Sequence, residues 1–400
     1  MTTDKKDRIP NAPVLRFPEF ADGWKECELK DIAQISKGSG ISKDQLSETG
    51  KPCVLYGELY TKYKSEVITE ILSKTNLEES HMVYSRENDV IIPSSGETAV
   101  DISTARCVPF DNILLGGDLT IIRLKEQDGR FFSYQLNGVR KLDIARIAQG
   151  VSVVHLYGDN LKRLKVTFPT IAEQNKISVF LSLVDKRIET QSRAIEKLQS
   201  LISGITQKVS KHPSVQKTML SDVLMERNEK NQKLLPVYSV SVSEGVVNQV
   251  EYLGRSFAAK DTSNYNVVYF GDIVYTKSPT GDFPFGIVKR SNNADKVAVS
   301  PLYGVYQPAS EDIGIYLHYY FCSSLNAKNY LHKLIQKGAK NTINITNPRF
   351  LENEVPIPDP LTLRKYVVLM TSLSKKLEQE KNLLALLQTQ KQFLLQEMFI

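Results

Sequence analysis

The sequence has few cysteines and no long apolar run. Its four cysteines, Cys27, Cys53, Cys107 and Cys322, are widely separated and form no CxxC pair, so neither a disulfide framework nor a zinc site is indicated. His318 lies four residues before Cys322 on a predicted helix face, but without further spaced ligands the two are expected to be packing residues rather than metal ligands. No run of about 18 apolar residues occurs and the first residues lack the apolar core of a signal peptide, so we expect a cytoplasmic protein.

Recognisable catalytic signatures are also missing. The stretch GSGISK (Gly38–Lys43) lacks the GxxxxGK[ST] spacing of a phosphate loop, and NPRF (Asn347–Phe350) lacks the second proline of the base-holding motif of amino-methyltransferases. GxSxG, HExxH and GxGxxG do not occur. An active site assembled from scattered carboxylates and histidines stays open, but the sequence favours recognition over reaction and predicts no metal or cofactor in this chain.

Composition is that of an ordinary soluble protein. The 400 residues are 41% hydrophobic and 24% charged, which is enough for two or more domains with buried cores. The formal net charge of +6 permits contact with phosphate without requiring it.

Two long heptad seams are the most regular feature of the chain, and they are spaced 189 residues apart. Each seam is interrupted by polar residues, and Gln191 of the first corresponds to Glu380 of the second. An apolar seam of this length is typical of a helix that packs against a partner helix, so we expect the two helices to pair in antiparallel orientation. Gln191 and Glu380 are candidates for fixing the register of the pair. The alternative is that each helix packs only on its own globular domain. The first seam comprises Ile177, Leu181, Val184, Ile188, Gln191, Ile195, Leu198, Ile202, Ile205 and Val209, and the second Tyr366, Met370, Leu373, Leu377, Glu380, Leu384, Leu387, Lys391, Leu394 and Met398.

Shorter stretches repeat as well. The same shift of 189 carries Val166 onto Val355 and Pro169 onto Pro358, so a short strand and a proline precede both helices. NDVIIPSSGE from Asn88 is similar to GDIVYTKSPTGD from Gly271. We therefore predict a duplicated unit of globular domain and long helix.

The predicted fold is mixed α/β. Apolar runs such as DVIIP, LTIIRL, NVVYF, DIVYT and VAVS indicate strands, whereas FFSYQL and IYLHYYF are typical of short helices with aromatic core faces. The predicted architecture is two similar globular domains related by a pseudo-twofold axis and joined by an antiparallel coiled coil. The predicted boundaries are an N-terminal tail at 1–13, a first domain at 14–168, a first helix at 169–211, a second domain at 212–357 and a second helix at 358–400.

Several motifs resemble those of specificity subunits of type I restriction-modification enzymes. In the second copy TLRKY replaces EQNKI, so a role that needs Glu173 and Gln174 is expected only in the first copy. The resemblance covers nearly the whole chain. The motifs are PxLRFPEF…W (Pro13–Trp24), LxDIAxIxxG (Leu29–Gly38), KPCVLYGELYTKY (Lys51–Tyr63), QGxSVVHL (Gln149–Leu156) and PTIAEQNKI (Pro169–Ile177).

The resemblance implies a non-catalytic reader of double-stranded DNA that serves in host defence. Each globular domain would read one half of a bipartite site, and the paired helices would set the spacer and dock methyltransferase subunits, two of them expected. Restriction and translocase subunits would join the complex, and S-adenosylmethionine, ATP and Mg²⁺ are expected on those partner subunits. Two other readings stay open: a coiled-coil scaffold that does not read DNA, and an enzyme.

Candidate DNA contacts lie in loops, where lysines and arginines can reach phosphates and polar side chains can reach base edges. Ser94 and Ser95 follow a predicted strand directly, where a loop can project outward. For each single residue a solvated lysine or a turn serine is an equally good explanation. The candidates of the first domain are Lys37, Ser39, Ser42, Lys43, Tyr60, Lys62, Tyr63, Lys64, Ser94 and Ser95, and those of the second are Arg255, Lys260, Lys277, Ser278, Thr280, Lys340 and Asn341.

Overall fold

The computed structural model describes residues 11–77, 81–255, 258–337 and 343–400. The chain divides into two compact units. Unit 1 comprises Met1–Ser192 together with Asn382–Ile400, and unit 2 comprises Arg193–Lys381. Each long helix therefore contributes one half to each unit.

Unit 1 is built from short strands and short helices. Its strands are β1 (Lys25–Glu28), β2 (Ala33–Lys37), β3 (Leu46–Ser47), β4 (Lys51–Val54), β5 (Ser73–Thr75), β6 (Asp89–Pro93), β7 (Ser95–Gly96), β8 (Arg106–Val108), β9 (Leu114–Leu115), β10 (Leu119–Leu124), β11 (Val154–His155) and β12 (Lys165–Phe168). Its helices are α1 (Leu29–Ile32), a 3-10 turn at Lys43–Gln45, α2 (Glu58–Thr61), α3 (Ala99–Ile102), α4 (Gly129–Asn137), α5 (Lys141–Ile147), α6 (Gly158–Lys162) and the first part of α7 (Ile171–Val209).

The main sheet of unit 1 has the strand order β2-β10-β6-β8, and every neighbouring pair is antiparallel. A second sheet, β3-β5-β4-β9, contains the parallel pair β4 and β9. The strands β1 and β12 pair with each other just before α7 begins. Strand β6 has all five residues buried, as its apolar sequence DVIIP predicts.

Unit 2 follows the same plan. Its strands are β13 (Gln216–Met219), β14 (Leu224–Glu226), β15 (Val237–Ser241), β16 (Gly245–Asn248), β17 (Asn266–Val268), β18 (Ile273–Thr276), β19 (Ile287–Arg290), β20 (Val297–Val299), β21 (Gly304–Pro308), β22 (Gln336–Lys337), β23 (Ile343–Asn344) and β24 (Glu354–Ile357). Its helices are α8 (Leu220–Val223), α9 (Gln249–Leu253), α10 (Glu311–Cys322), α11 (Ser324–His332), α12 (Asn347–Phe350) and α13 (Pro360–Glu397), of which the last part belongs to unit 1.

The main sheet of unit 2 repeats the topology of unit 1. Its order is β14-β21-β18-β19, again antiparallel throughout, and β13 pairs with β24 just before α13. A second sheet, β16-β15-β20-β17, again contains one parallel pair, β15 with β20. The internal repeat predicted from the sequence is therefore present in the fold, including the strand that precedes each long helix.

The turn that leads into the third strand of each main sheet is also repeated. Asn88 and Gly271 adopt positive φ angles of 76° and 87°, a region that asparagine and glycine tolerate best. The aspartate that follows each of them is buried and binds an arginine from a neighbouring strand or strand end, Asp89 with Arg123 and Asp272 with Arg227. Two units with divergent sequences thus retain the same turn and a buried aspartate paired with an arginine, although the arginine lies in β10 in unit 1 and follows β14 in unit 2.

The cores differ in their aromatic content. In unit 1, Trp24 packs against Phe131 and Phe399, with ring centroids 5.6 and 6.3 Å apart, so the end of the chain completes the core of its first part. In unit 2, Phe350 lies between Tyr275 and Tyr306 at 4.6 and 4.8 Å. The NPRF stretch is therefore a short helix whose phenylalanine is a core residue.

The two long helices contact each other in antiparallel order. In unit 1, Asp185 of α7 binds Lys391, near the end of α13. In unit 2, Thr206, near the end of α7, shares a hydrogen bond of 2.8 Å with the Tyr366 hydroxyl, near the start of α13. All twenty residues of the two predicted seams are buried or half-buried. The helices contact the globular cores as well, so neither packs on its own domain alone.

Two polar positions of the seams, Glu380 and Lys391, form ion pairs. Glu380 binds Lys376 one turn earlier on the same helix. The most buried polar seam residue is Lys391, whose ammonium lies between the carboxylates of Glu66 and Asp185. Tyr134 donates a hydrogen bond of 2.7 Å to Asp185 in the same cluster. Lys391 therefore joins both helices to the globular part of unit 1.

Candidate nucleic-acid interface

The stretch EQNKI at the start of α7 anchors the helix to unit 1. Glu173 is 1% exposed, and both of its carboxylate oxygens accept hydrogen bonds from Arg16 at 2.7 Å. Gln174 is fully buried, accepts from the Asp128 backbone N–H at 3.0 Å and donates to the Pro169 carbonyl at 2.9 Å. These contacts are structural, which gives the motif a role in placing the helix rather than in contacting a ligand.

The loop after β2 presents two lysines and uses its serines internally. The Ser39 hydroxyl accepts a hydrogen bond from the Val83 backbone at 2.9 Å, and Ser42 caps the 3-10 turn that follows. Lys37 and Lys43 are exposed. Of the candidates in this loop, the lysines are placed to meet a phosphate backbone, whereas the serines hold the loop in shape.

The candidates around α2 divide in the same way. Lys62 forms an ion pair with Glu58 at 2.6 Å and reaches Ser73 at 3.1 Å, and Glu58 is only 5% exposed. Tyr63 is 7% exposed and belongs to an apolar cluster, so its prediction as a DNA contact is wrong: the ring fills the core and the hydroxyl accepts from Leu72. Lys64 is exposed.

The prediction that Ser94 and Ser95 project outward is also wrong. Ser94 is 7% exposed and its hydroxyl shares a hydrogen bond of 2.7 Å with Thr120. Ser95 is 8% exposed because the chain continues from β6 into β7, where it pairs with His155 of β11. The pairing joins the PSSGET loop to the QGxSVVHL stretch, so these two sequence motifs form one local structure.

Tyr60 lies beside this pairing. A side-chain carbon built on Gly96 would clash with Ile102 at 2.5 Å and would touch the Tyr60 hydroxyl at 3.8 Å, so the glycine leaves room for Ile102 beside the tyrosine. Burial raises the pKa of Tyr60, and Tyr56, Asp101 and Glu97 add to the shift, so the hydroxyl stays neutral and able to donate at physiological pH.

In unit 2 the candidates lie on exposed loops, with one exception. Lys277 is half-buried, and burial lowers its pKa, although Glu226 opposes the shift. Ser278 and Thr280 are exposed in a tight turn closed by backbone hydrogen bonds between Thr280 and Phe283. Arg255 and Lys260 are exposed. Lys340 and Asn341 lie outside the described residues.

A basic cleft in unit 1 was not among the predicted sites. It has a volume of about 640 Å³, and its lining includes four cationic residues. Asp143 is shared between Arg140 and Arg146, and the Arg146 side chain is 73% exposed. In the sequence, cationic residues recur on α5, α6 and β12, but neither the heptad pattern nor the loop motifs indicate that they form a site. The cationic residues of the cleft are Arg140, Arg146, Arg163 and Lys165.

Exposed apolar side chains follow the long helices away from the seam. In unit 1 the most exposed are Leu183 at 61% on α7 and, seven residues apart on α13, Leu386 at 68% and Phe393 at 58%. In unit 2 the corresponding residues include Leu361 and Val368 of α13. Large apolar side chains exposed at helical spacing are typical of a surface that another protein covers.

Metal-binding clusters and membrane-spanning helices are both absent from the described residues. No group of three or more histidine, cysteine, aspartate or glutamate side chains in the described ranges is arranged to hold a metal ion. Within the same part of the chain, no helix is both long and apolar enough to cross a membrane.

Comparison with known sequences gives a consistent set of relatives. Residues 21–200 match the family model of the type I restriction modification DNA specificity domain. The chain is 27% identical over 173 residues to a putative type I restriction enzyme specificity subunit of Haemophilus influenzae, covering 43% of this chain and 42% of that protein. It is 23% identical over 233 residues to the type I restriction enzyme MjaVIII specificity subunit of Methanocaldococcus jannaschii, covering 55% of this chain and 50% of that protein. The matched stretch thus spans half or less of each of these relatives.

Solved structures agree with the sequence relatives. The crystal structure of a type I restriction-modification system S subunit from M. genitalium has a TM-score of 0.62 at 16% identity, over 97% of this chain and 99% of that one. A chain from a structural study of complex assembly and conformational transition of the type I R-M system has a TM-score of 0.53 at 13% identity, over 96% and 98%. At these identities the likeness establishes the fold. In its specificity domain, its sequence relatives and its fold, the chain is similar to type I restriction-modification specificity subunits.

Proposed function

We propose that the chain is the DNA-reading subunit of a type I restriction-modification complex, in which each globular unit reads one half of a bipartite site. The observation that carries this proposal is the repeated main sheet, with the same antiparallel order in both units. Two copies of one reader with different loops suit a site of two different halves. The family model covers only the first copy and most of α7, so the repeated sheet is what extends the proposal to the second copy.

Phosphate contacts are assigned to the exposed cations rather than to the full set predicted from the sequence. Lys37, Lys43 and Lys64 in unit 1 and Lys260 in unit 2 are exposed. Lys62 is assigned a structural role because it neutralises the buried Glu58. The cationic cleft around Arg146 and Arg163 is a further candidate for the DNA backbone.

The test of these contacts is the salt dependence of DNA binding by the assembled complex. Each lost phosphate contact lowers the slope of log K against log salt by about one. We expect Lys64→Ala to lower the slope by about one without changing the thermal unfolding temperature. Lys62→Ala, the neighbouring control, should lower the unfolding temperature because it strands Glu58. An unchanged slope for Lys64→Ala, combined with unchanged binding of Lys43→Ala and Arg146→Ala, would remove these surfaces from the interface.

We assign the apolar faces of the long helices to methyltransferase subunits, two of them in the complete complex. Leu386 and Phe393 in unit 1 provide the largest exposed apolar groups on α13. A double variant, Leu386→Glu with Phe393→Glu, should prevent co-purification of a methyltransferase subunit. Leu201→Glu tests whether the part of the helix pair in unit 2 binds a methyltransferase subunit independently. Retention of the partner by the double variant would place docking elsewhere.

The paired helices also serve as the spacer ruler in this proposal. The helix α7 has 39 residues, which at 1.5 Å per residue gives a length of about 58 Å. Restriction and translocase subunits would join the same complex. S-adenosylmethionine, ATP and Mg²⁺ would bind to those partners rather than to this chain, which acts without catalysis in the cytoplasm.

The decisive experiment is the adenine methylation pattern of DNA from cells that express this chain with its cognate methyltransferase subunit. A single split motif, with two short halves around a fixed gap, is the expected result. Replacing residues 14–168 by another reader should change one half of that motif only. Complex formation without any methylated motif would favour the scaffold alternative. Methyl transfer or cleavage by the chain alone would favour the enzyme.

A further inference from the structure

A cluster of three side chains at the end of α10 is not explained by DNA reading. Lys289 of β19 and His318 of α10 both face the sulfur of Cys322, with Nζ 3.3 Å and Nε2 3.8 Å from Sγ. Cys322 is half-buried as a residue. All three residues belong to unit 2.

The buried ammonium group of Lys289 requires a compensating negative charge nearby. Its side chain is 5% exposed, and the one hydrogen-bond partner recorded for it within the described chain is Cys322 Sγ. An ammonium group withdrawn from water is costly unless a negative charge or several acceptors compensate it. A neutral thiol is a weak acceptor, whereas a thiolate supplies the missing charge.

The tautomer of His318 supports the same conclusion. The backbone N–H of Arg290 donates to Nδ1 at 3.2 Å, so Nδ1 carries no proton. The ring proton of the neutral imidazole is then on Nε2, the nitrogen that faces Cys322. The sulfur is therefore flanked by two N–H donors, an arrangement that satisfies a thiolate.

The geometry points to Cys322 as a thiolate nucleophile at neutral pH and as a site of oxidation by hydroperoxides. Thiolates, not thiols, attack peroxides, and they do so where they are partly exposed beside positive charge. Sγ attacks one peroxide oxygen, the S–O bond forms as the O–O bond breaks, and the sulfur is oxidised by two electrons to a sulfenic acid. The departing hydroxide takes up one proton to become water. The ammonium of Lys289 disfavours a metal cation at the same sulfur.

The electrostatic balance around Cys322 agrees with the geometry. Burial raises the pKa of the thiol, but His318 and Lys289 outweigh burial and bring it to about 6. The other titratable groups near it are the hydroxyls of Tyr319 on the same helix and Tyr366 on α13, and the pKa of each is raised by burial, so both stay neutral. At pH 7 a thiol with such a pKa is about nine-tenths ionised.

Cys27 provides an internal control. It is half-buried like Cys322, but burial raises its pKa and the carboxylates of Asp31 and Glu26 raise it further. Cys53 and Cys107 are buried, and burial raises the pKa of each. One protein therefore carries a thiol stabilised as the anion and another thiol, in a comparably exposed residue, stabilised as the neutral form.

The test is alkylation of the native full-length chain with iodoacetamide between pH 5 and 10, followed by peptide mass spectrometry. We expect the rate at Cys322 to reach half its plateau below pH 7 and the rate at Cys27 to rise through pH 9. Lys289→Gln and, independently, His318→Gln should each move the Cys322 midpoint upward by a unit or more. Hydrogen peroxide followed by dimedone should label Cys322 and leave Cys27 unlabelled. A Cys322 midpoint at 8.5 or above in the unmodified protein, where no variant has to fold, overturns the inference, as does equal dimedone labelling of the two cysteines.

Discussion

Replacing Lys391 by methionine should destabilise unit 1 selectively. Lys391 is buried between Glu66 and Asp185, and methionine keeps the length of the side chain while removing its charge. Removing one partner of a buried ionic group leaves an uncompensated charge, which costs about 3 to 5 kcal/mol. For a unit of about this size we expect the unfolding temperature to fall by roughly 6 to 20 °C.

The effect should depend on pH in a defined direction. Burial raises the pKa of Asp185 and Glu66 adds to the rise, whereas Lys391 opposes it. Without Lys391 the folded-state pKa of Asp185 rises further above its unfolded value, so the folded protein binds protons more readily than the unfolded chain. The penalty is full above that pKa and is relieved as pH falls through it. The difference between variant and wild type should therefore narrow between pH 8 and pH 5.

The assay uses the single tryptophan of the chain. Trp24 is buried in the core of unit 1 beside Phe399, so its fluorescence follows the unfolding of that unit. The matched control is Lys162→Met, which removes a lysine of unit 1 whose ion pair with Asp159 is exposed and contributes little stability. Equal unfolding temperatures for the two variants, or a difference that does not vary with pH, would refute the assignment of a stabilising ionic cluster.

Two further perturbations test the elements that place the helix and the repeated turn. Arg16→Met should lower the stability of unit 1 by about 3 kcal/mol, because Glu173 is left buried without a counter-charge. Arg364→Met breaks only an exposed pair and should cost less than about 1 kcal/mol. Urea unfolding measures both free-energy changes. Gly271→Val should lower the free energy of unfolding by about 1 to 3 kcal/mol because the φ of Gly271 is +87°, although the space around it is open. Gly271→Asn should cost less stability because Asn88 occupies the equivalent turn. Equal losses of stability for the two variants would show that backbone strain is not the cause.

Periodic features of the chain could be predicted from the sequence. The structure confirms both long helices, the repeat and the strands DVIIP, LTIIRL, DIVYT and VAVS. These elements are predictable because burial of one face imposes a regular spacing of apolar residues on the sequence. The start of α7 at Ile171 follows Pro169, as expected from the restriction that proline places on the residue before it.

Features that depend on long-range contacts could not be predicted. Ser94 and Ser95 follow a strand in the sequence, and nothing local indicates that β7 pairs with a segment about 60 residues later. Tyr63 is aromatic and lies in a lysine-rich stretch, which is equally typical of a nucleic-acid contact and of a core residue with a charged surrounding. Lys62 differs from Lys64 only in the presence of Glu58 one turn earlier, and that difference appears only when the burial of the carboxylate is known.

The discontinuous make-up of unit 1 has a consequence for synthesis of the protein on the ribosome. Unit 2 is a continuous segment, Arg193–Lys381, whereas the core around Trp24 includes Leu394, Leu395 and Phe399. Met1–Ser192 therefore waits for Asn382–Ile400, and unit 2 has all of its residues before unit 1 is complete. During that interval the apolar groups that Phe399 will cover remain exposed in the nascent chain, which makes Met1–Ser192 prone to aggregation until Asn382–Ile400 is added.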